Sequence, residues 1–186
     1  MLRTRSMRLA ALPLALPLAL LLGACAAVPV SPAARADLRA AADDTLRRML
    51  ADDPGLGPAY LAHAHAYVVF PQVAKGAYLV GGSWGRGVVY RQGQAIGYAD
   101  ITGASAGFQF GGQSYAELIV LEDEATLRRL TEGRLMTSLD VSAVVLKTGA
   151  ASTARFTGGV AVFLSPLGGA MIEAAVGAQQ LTFQPG

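Results

Sequence analysis

The spacing of hydrophobic and polar positions changes once along the chain, near residue 66. Before that point, residues 37–51 repeat apolar side chains every three to four positions, which predicts a helix. Its apolar face contains Leu38, Ala42, Thr45, Leu46 and Met49. A break rich in proline and glycine ends this helix, and a second short helical piece is predicted from Pro58.

After residue 66 the chain consists of short runs rich in Val, Ile, Tyr and Phe, bounded by glycine, proline or polar residues, a spacing typical of hairpins. The runs are 67–71, 77–82, 87–91, 95–101, 107–111, 115–121, 141–147, 156–165 and 170–183. Residues 91–94 predict a turn in which Gly93 supplies a positive φ. Residues 123–130 predict one short helix, with acids in its first turn and arginines later. The pattern predicts an α+β domain: an N-terminal helix packed on a strongly curved or barrel-like, mainly antiparallel, glycine-rich sheet, with one inserted short helix.

The first 24 residues have the composition of a signal peptide. Three arginines precede an apolar run at 9–22 that is short for a membrane span and is interrupted by two prolines. The next residues, Leu-Gly-Ala-Cys ending at Cys25, resemble the lipobox of bacterial lipoproteins, which implies cleavage before Cys25 and acylation of this cysteine. Residues 25–36 are then an acylated tether, and residues 37–186 form a single domain. Ala26, rather than an aspartate, follows the cysteine, which resembles the outer-membrane sorting pattern and predicts a protein that faces the periplasm.

Removal of the signal peptide changes the charge of the protein. The whole chain has a formal charge of +2, but three of its basic residues precede Cys25, so the remainder carries 12 basic and 13 acidic side chains. Overall basicity therefore offers no argument for nucleic-acid binding. Because Cys25 is the only cysteine, no disulfide can form within the chain.

Residues 79–85 contain Gly81-Gly82-Ser83-Trp84-Gly85, which matches the G-x-S-x-G pattern of a nucleophile elbow. An elbow requires a strand, a sharp turn and a helix, with a histidine after the serine. Here the chain continues as a predicted strand, and both histidines precede Ser83. We expect Ser83 to be non-catalytic and the protein not to be an enzyme.

Metal and nucleotide sites have equally little support in the sequence. His63 and His65 could ligate a metal, but no third ligand is indicated, and a site needs three or four. The glycines form neither the dinucleotide nor the P-loop pattern. We expect no cofactor. The only tryptophan, Trp84, is expected in the core, at its rim, or at a membrane interface.

Residues 68–90, 96–121 and 158–183 together resemble the SYLF domain family. The shared features are an F-P pair, a K-G before an aromatic run, a G-G-x-x-G-x-G-V segment, and later G-Y-x-D-I-T-G and G-x-Q-x-G-x-Q-S segments. The resemblance covers roughly residues 37–183. It implies lipid binding, without catalysis or an obligatory cofactor, and a place in the cell envelope for bacterial members.

Some family properties are not expected here. Eukaryotic members carry a W-S-x-P segment near the position of residues 98–101, which this chain lacks, and their basic lipid-binding helix corresponds to a segment, 37–51, with three acids and three arginines. Yeast members bind actin, an unsuitable partner for a bacterial envelope protein.

The domain has a local basic asymmetry. No carboxylate occurs between Asp53 and Asp100, whereas Lys75, Arg86 and Arg91 fall in that interval. We expect these three residues, on one side of the sheet, and Trp84 to contact anionic phospholipid head groups. The alternative is an adaptor lipoprotein of the envelope that binds another protein.

Overall fold

The computed structural model describes residues 31–138, 143–145 and 147–186, and the side chains of residues 170–176 lie outside this description. The helices are α1 (Pro32–Asp52) and α2 (Glu124–Thr131), with a π-helical turn at Gly57–Leu61 and a 3-10 turn at Ala150–Ser152. The strands are β1 (Ala66–Arg91), β2 (Gln94–Leu121), β3 (Met136–Ser138), β4 (Ala143–Val145) and β5 (Val160–Pro185). The α+β prediction is confirmed: a helix, a curled sheet that forms a half-barrel, and one short inserted helix.

Helix α1 begins earlier than the sequence pattern predicts. Ser31 caps it by accepting the N–H of Ala34, and Pro32 occupies the first turn, where its missing N–H has no cost. The last five residues of the predicted tether, 32–36, are therefore helical. The predicted apolar face is confirmed, because Ala42, Thr45 and Met49 are buried against the sheet.

The nine predicted strand runs merge into far fewer elements. β1 and β2 span 26 and 28 residues and form one antiparallel hairpin, while β5, with 26 residues, lies along the other side of β2. The order is β1-β2-β5-β3, and β4 adds to β5 in parallel. The turn at 91–94 is confirmed, with φ of 51° at Gln92 and 78° at Gly93. The predicted helix at 123–130 is also confirmed, capped by the Asp123 carboxylate, which accepts the Thr126 N–H.

The long strands fold back on themselves. A Cβ added to Gly81 would lie 2.8 Å from the Cβ of Ala77, and one added to Gly85 would lie 2.8 Å from the carbonyl oxygen of Gln72. Strand β1 therefore reverses around Leu79, and its two legs pack against each other. Only glycine allows this approach, because any side chain at Gly85 would overlap the opposite leg.

Two hydrophobic clusters stabilise this folded sheet. The inner cluster lies between the two legs and includes Phe70, Val89, Ile119 and Leu181, together with apolar residues of α2. The second, or α1-side, cluster contains Val69, Val88, Tyr90, Tyr98 and Phe163 and is covered by α1.

Polar contacts fix the direction of α1 along the sheet. Near its start, the Arg35 and Arg39 guanidinium groups lie 5.1 and 5.3 Å from the centre of the Tyr98 ring. In its middle, Asp43 accepts the Tyr90 hydroxyl at 2.6 Å. After its end, the buried Asp53 carboxylate accepts the N–H of Ala151 at 2.7 Å, and this bond holds the pKa of Asp53 below its usual value.

Candidate functional site

Ser83 lies inside β1 and not at a strand-to-helix turn. It is buried, and its Oγ would lie 2.3 Å from a Cβ added to Gly103, so the serine packs closely on the neighbouring strand. Ser83 therefore does not lie at the strand-to-helix turn of a nucleophile elbow, and its non-catalytic assignment stays a prediction.

The two histidines do not converge. His63 is exposed in a turn, whereas the His65 imidazole contacts the Glu124 carboxylate, which also pairs with Arg91 at 3.0 Å. Within the described part of the chain, no group of three His, Cys, Asp or Glu side chains could hold a metal ion.

The three basic residues do not share one face of the sheet. Side chains alternate along a strand, and Arg86 precedes Val88 of the α1-side cluster by two positions, whereas Arg91 follows Val89 of the inner cluster by two. Lys75 likewise follows an inner-cluster residue, Val73, by two positions. The expectation of a single basic side is therefore wrong. Arg86 faces α1, whereas Arg91 lies at the start of α2 and pairs with its first residue, Glu124.

Arg86 and Trp84 do lie together, in a cleft between α1 and the two legs of β1. The cleft has a volume of about 420 Å³ and is lined by Leu38, Pro71, Gln72, Trp84 and Arg86. Its walls are mainly apolar, and Trp84 is 60% exposed. The alternation along β1 places both Trp84 and Arg86 on the α1 side, and Leu38 of the apolar helix face closes the opposite wall.

The Arg86 side chain is only partly neutralised in this cleft. Its Nε lies 3.7 Å from Oδ1 of Asp100, an ion-pair distance too long for a hydrogen bond. The same Nε is buried and makes no hydrogen bond to the described residues. The side chain as a whole is 31% exposed, so a ligand oxygen would reach it through the terminal N–H groups and not through Nε.

A buried carboxyl group was not predicted from the sequence. Glu117 of β2 is fully buried, and neither of its oxygens makes a hydrogen bond of good geometry with the described residues. Burial raises its pKa to about 8, which the Gln179 amide opposes only in part. That amide donates instead to the Tyr115 hydroxyl at 3.2 Å. The alternation of buried residues in 115–121 could have identified the inward position of Glu117, but not the lack of a partner.

The reversal of the strands exposes a set of large apolar side chains at positions that the sequence pattern predicts to lie in ordinary strands. We call this set the apolar apex; its members are between 54% and 72% exposed. They are Tyr78, Leu79, Val80, Phe108 and Phe110.

The predicted anchor, Cys25, lies outside the described residues, so its acylation stays a prediction. No helix in the described ranges is long and apolar enough to cross a membrane. No family model, curated protein or solved structure matches the chain. The resemblance to the SYLF domain therefore also stays a prediction.

Proposed function

We propose that the protein is a non-enzymatic lipoprotein of the bacterial envelope, anchored through Cys25 and facing the periplasm, whose domain binds phospholipid. The observation that carries the proposal is the cleft between α1 and β1. It combines apolar walls, a tryptophan and a single guanidinium group at one position.

A phospholipid combines the same chemistry in one molecule. Its phosphate would take the terminal N–H groups of Arg86, whose ion pair with the Asp100 carboxylate is long, at 3.7 Å. The glycerol and upper acyl chain would lie along Trp84, Leu38 and Pro71, which line the cleft. Tryptophan suits this boundary because its ring is apolar while its N–H remains able to donate.

The separation of the basic residues lowers the expected preference for anionic lipid. Three clustered charges would contribute about 3 kcal/mol near an anionic surface, whereas Arg86 alone contributes about 1 kcal/mol. That single contribution corresponds to about a fivefold preference. Most of the binding free energy is therefore expected from the apolar walls and from the tether, which holds the cleft near the bilayer at high effective concentration.

Co-sedimentation of residues 31–186 with vesicles tests the proposal without the contribution of the anchor. Vesicles of phosphatidylethanolamine and phosphatidylglycerol should bind the domain, and Trp84→Ala and Arg86→Gln should each reduce the bound fraction. Arg91→Gln is the matched control, because it removes the same charge from the other face of the sheet, where the side chain pairs with Glu124.

Two results would contradict the proposal. If Arg86→Gln and Arg91→Gln reduce binding equally, the cleft has no special role. If the wild-type domain binds no vesicle but captures a single envelope protein from solubilised membranes, the adaptor function is supported instead.

A further inference from the structure

We infer that the apolar apex is a second, separate membrane contact that inserts into the interfacial layer of the bilayer. This inference rests on the proposed envelope-lipoprotein function, but it concerns residues outside the cleft and can fail independently of it.

The apex is a defined structure and not a scatter of exposed residues. Tyr78 and Phe110 are register partners on β1 and β2, and their rings contact edge to face with centroids 6.0 Å apart. The next register pair is Val80 with Ala106. Between the two pairs β1 has one residue, Leu79, whereas β2 has three, 107–109. Phe108 and Phe110 lie two positions apart on β2, and all five side chains of the apex are exposed at this reversal.

Polar contacts on the inner side hold the apex in this shape. The Ser105 hydroxyl donates to Oε1 of Gln109 at 2.8 Å, and the Gln109 amide donates to the carbonyl oxygen of Leu79 at 3.2 Å. Both Ser105 and Gln109 are buried. The polar side chains of this segment therefore point inward, whereas its aromatic and aliphatic side chains point into solvent, the reverse of the usual arrangement for a soluble surface.

The backbone at Leu79 indicates that exposure of this side chain has a role. Its φ is 62°, a left-handed conformation that glycine adopts freely and leucine does not. Six glycines lie within residues 76–82 and 107–112, and two of them, Gly107 and Gly111, also have a positive φ. Leu79 therefore adopts a conformation that glycine takes elsewhere in the apex, and its side chain is 54% exposed there.

The predicted anchor at Cys25 favours a bilayer as the surface that covers the apex, because it would hold the domain beside one. Leu38 of α1 lies beside Trp84, five residues from Leu79 along β1, whereas Asp43 contacts Tyr90, eleven residues away. The start of the helix contacts Tyr98 through Arg35, and Tyr98 pairs with Val88, nine residues from Leu79. The N-terminal half of α1 therefore lies nearer to the apex than Asp43 does, but not at the apex itself. Only six residues, 26–31, separate Cys25 from the first turn of α1, and they span at most about 20 Å.

The composition of the apex also fits a lipid interface. Residues 76–82 and 103–112 contain no charged side chain, and their three aromatic residues, one of them a tyrosine with a hydroxyl, suit the head-group boundary. Strand β5 brings one acidic residue, Glu173, to the register position of Gln109 and not to that of Phe108 or Phe110.

A fluorescent probe at the apex of the acylated full-length protein tests this inference. Because Cys25 is the only cysteine and is blocked by acylation, Phe108→Cys introduces a single reactive thiol for an NBD label. The control is Val145→Cys, since Val145 is exposed to a similar degree. It lies away from the apex, because it pairs with Leu164 of β5, nine residues from Glu173, the register partner of Gln109. Both proteins are reconstituted in vesicles of phosphatidylethanolamine and phosphatidylglycerol, with and without nitroxide-labelled acyl chains.

We expect a blue shift and nitroxide quenching of NBD at position 108, and neither change at position 145. Equal, weak quenching at both positions would overturn the inference. A blue shift at 108 that grows with protein density and is insensitive to nitroxide would show that a second copy of the chain, not lipid, covers the apex. Because Trp84 and Arg86 are unchanged in these variants, quenching at 108 can be observed even if the cleft variants show no effect on vesicle binding.

Discussion

Glu117 predicts an unusual pH dependence of stability, which the substitution Glu117→Gln should remove. The carboxyl group is fully buried, and its pKa rises from 4.5 to about 8 on folding. The folded protein therefore binds this proton more tightly than the unfolded chain between these two values. The contribution of Glu117 to the free energy of unfolding is fully present below about pH 4.5, falls as the pH rises, and is lost above about pH 8.

The size of the effect follows from the pKa shift. Each pH unit inside the window changes the free energy of unfolding by up to about 1.4 kcal/mol. Over the interval from 4.5 to about 8, the loss is on the order of 4–5 kcal/mol, a large part of the stability of a typical domain. Glutamine has nearly the same shape as the protonated acid but does not ionise. Glu117→Gln should therefore be more stable than wild type by several kcal/mol at pH 8 and close to it at pH 5.

Urea unfolding of residues 31–186, followed by circular dichroism between pH 5 and pH 8, measures this difference. This range lies above the titration of Asp53, whose lowered pKa makes its own contribution disappear only in more acidic solution. Glu122→Gln is the matched control, since Glu122 is exposed, and it should retain the wild-type slope. A wild-type stability that is constant across this range, or an equal slope in Glu117→Gln, would refute the reasoning.

Three further predictions concern the glycines, the serine and the anchor. Gly85→Val should lower the free energy of unfolding by about 3 kcal/mol, because the added atoms overlap the Gln72 carbonyl; Gly82→Val should have little effect, since an added Cβ there meets no atom closer than 3.9 Å. Equal urea midpoints for the two variants would contradict the packing of the two legs of β1. Ser83→Ala should leave stability and vesicle binding nearly unchanged, and labelling of Ser83 by a fluorophosphonate would show that the non-catalytic assignment is wrong. Cys25→Ala should accumulate as an unprocessed or soluble form in cell fractionation, whereas a processed, membrane-bound form of this variant would exclude the lipoprotein prediction.

Local sequence signals were sufficient for the elements whose stability is local. The face of α1, the turn at 91–94 and the cap of α2 at Asp123 each depend on residues within a few positions of one another. The early start of α1 also has a local cause, the Ser31 cap and Pro32, although small residues and prolines there also fit an extended tether. The prediction that Ser83 is not part of a nucleophile elbow needed only the order of residues, because both histidines precede it.

The candidate site depended on contacts between distant residues. Arg86 and Arg91 look equivalent in the sequence, but strand alternation and the fold-back of β1 place them on opposite faces, next to Asp100 and Glu124. Trp84 becomes part of the candidate site only because α1 packs beside it and forms a cleft.

The sequence by itself determined the alternation of helix and strand, the glycines at the bends and the predicted anchor at Cys25, because periodicity, turn chemistry and a lipobox are local patterns. Only the tertiary structure decided that the strand runs join into long strands that reverse at Leu79. This reversal depends on the close packing of residues such as Gly85 and Gln72, which lie far apart in the chain. The tertiary structure also buries Glu117 without a hydrogen bond of good geometry to the described residues and exposes Phe108, two outcomes opposite to those that the polarity of each residue favours.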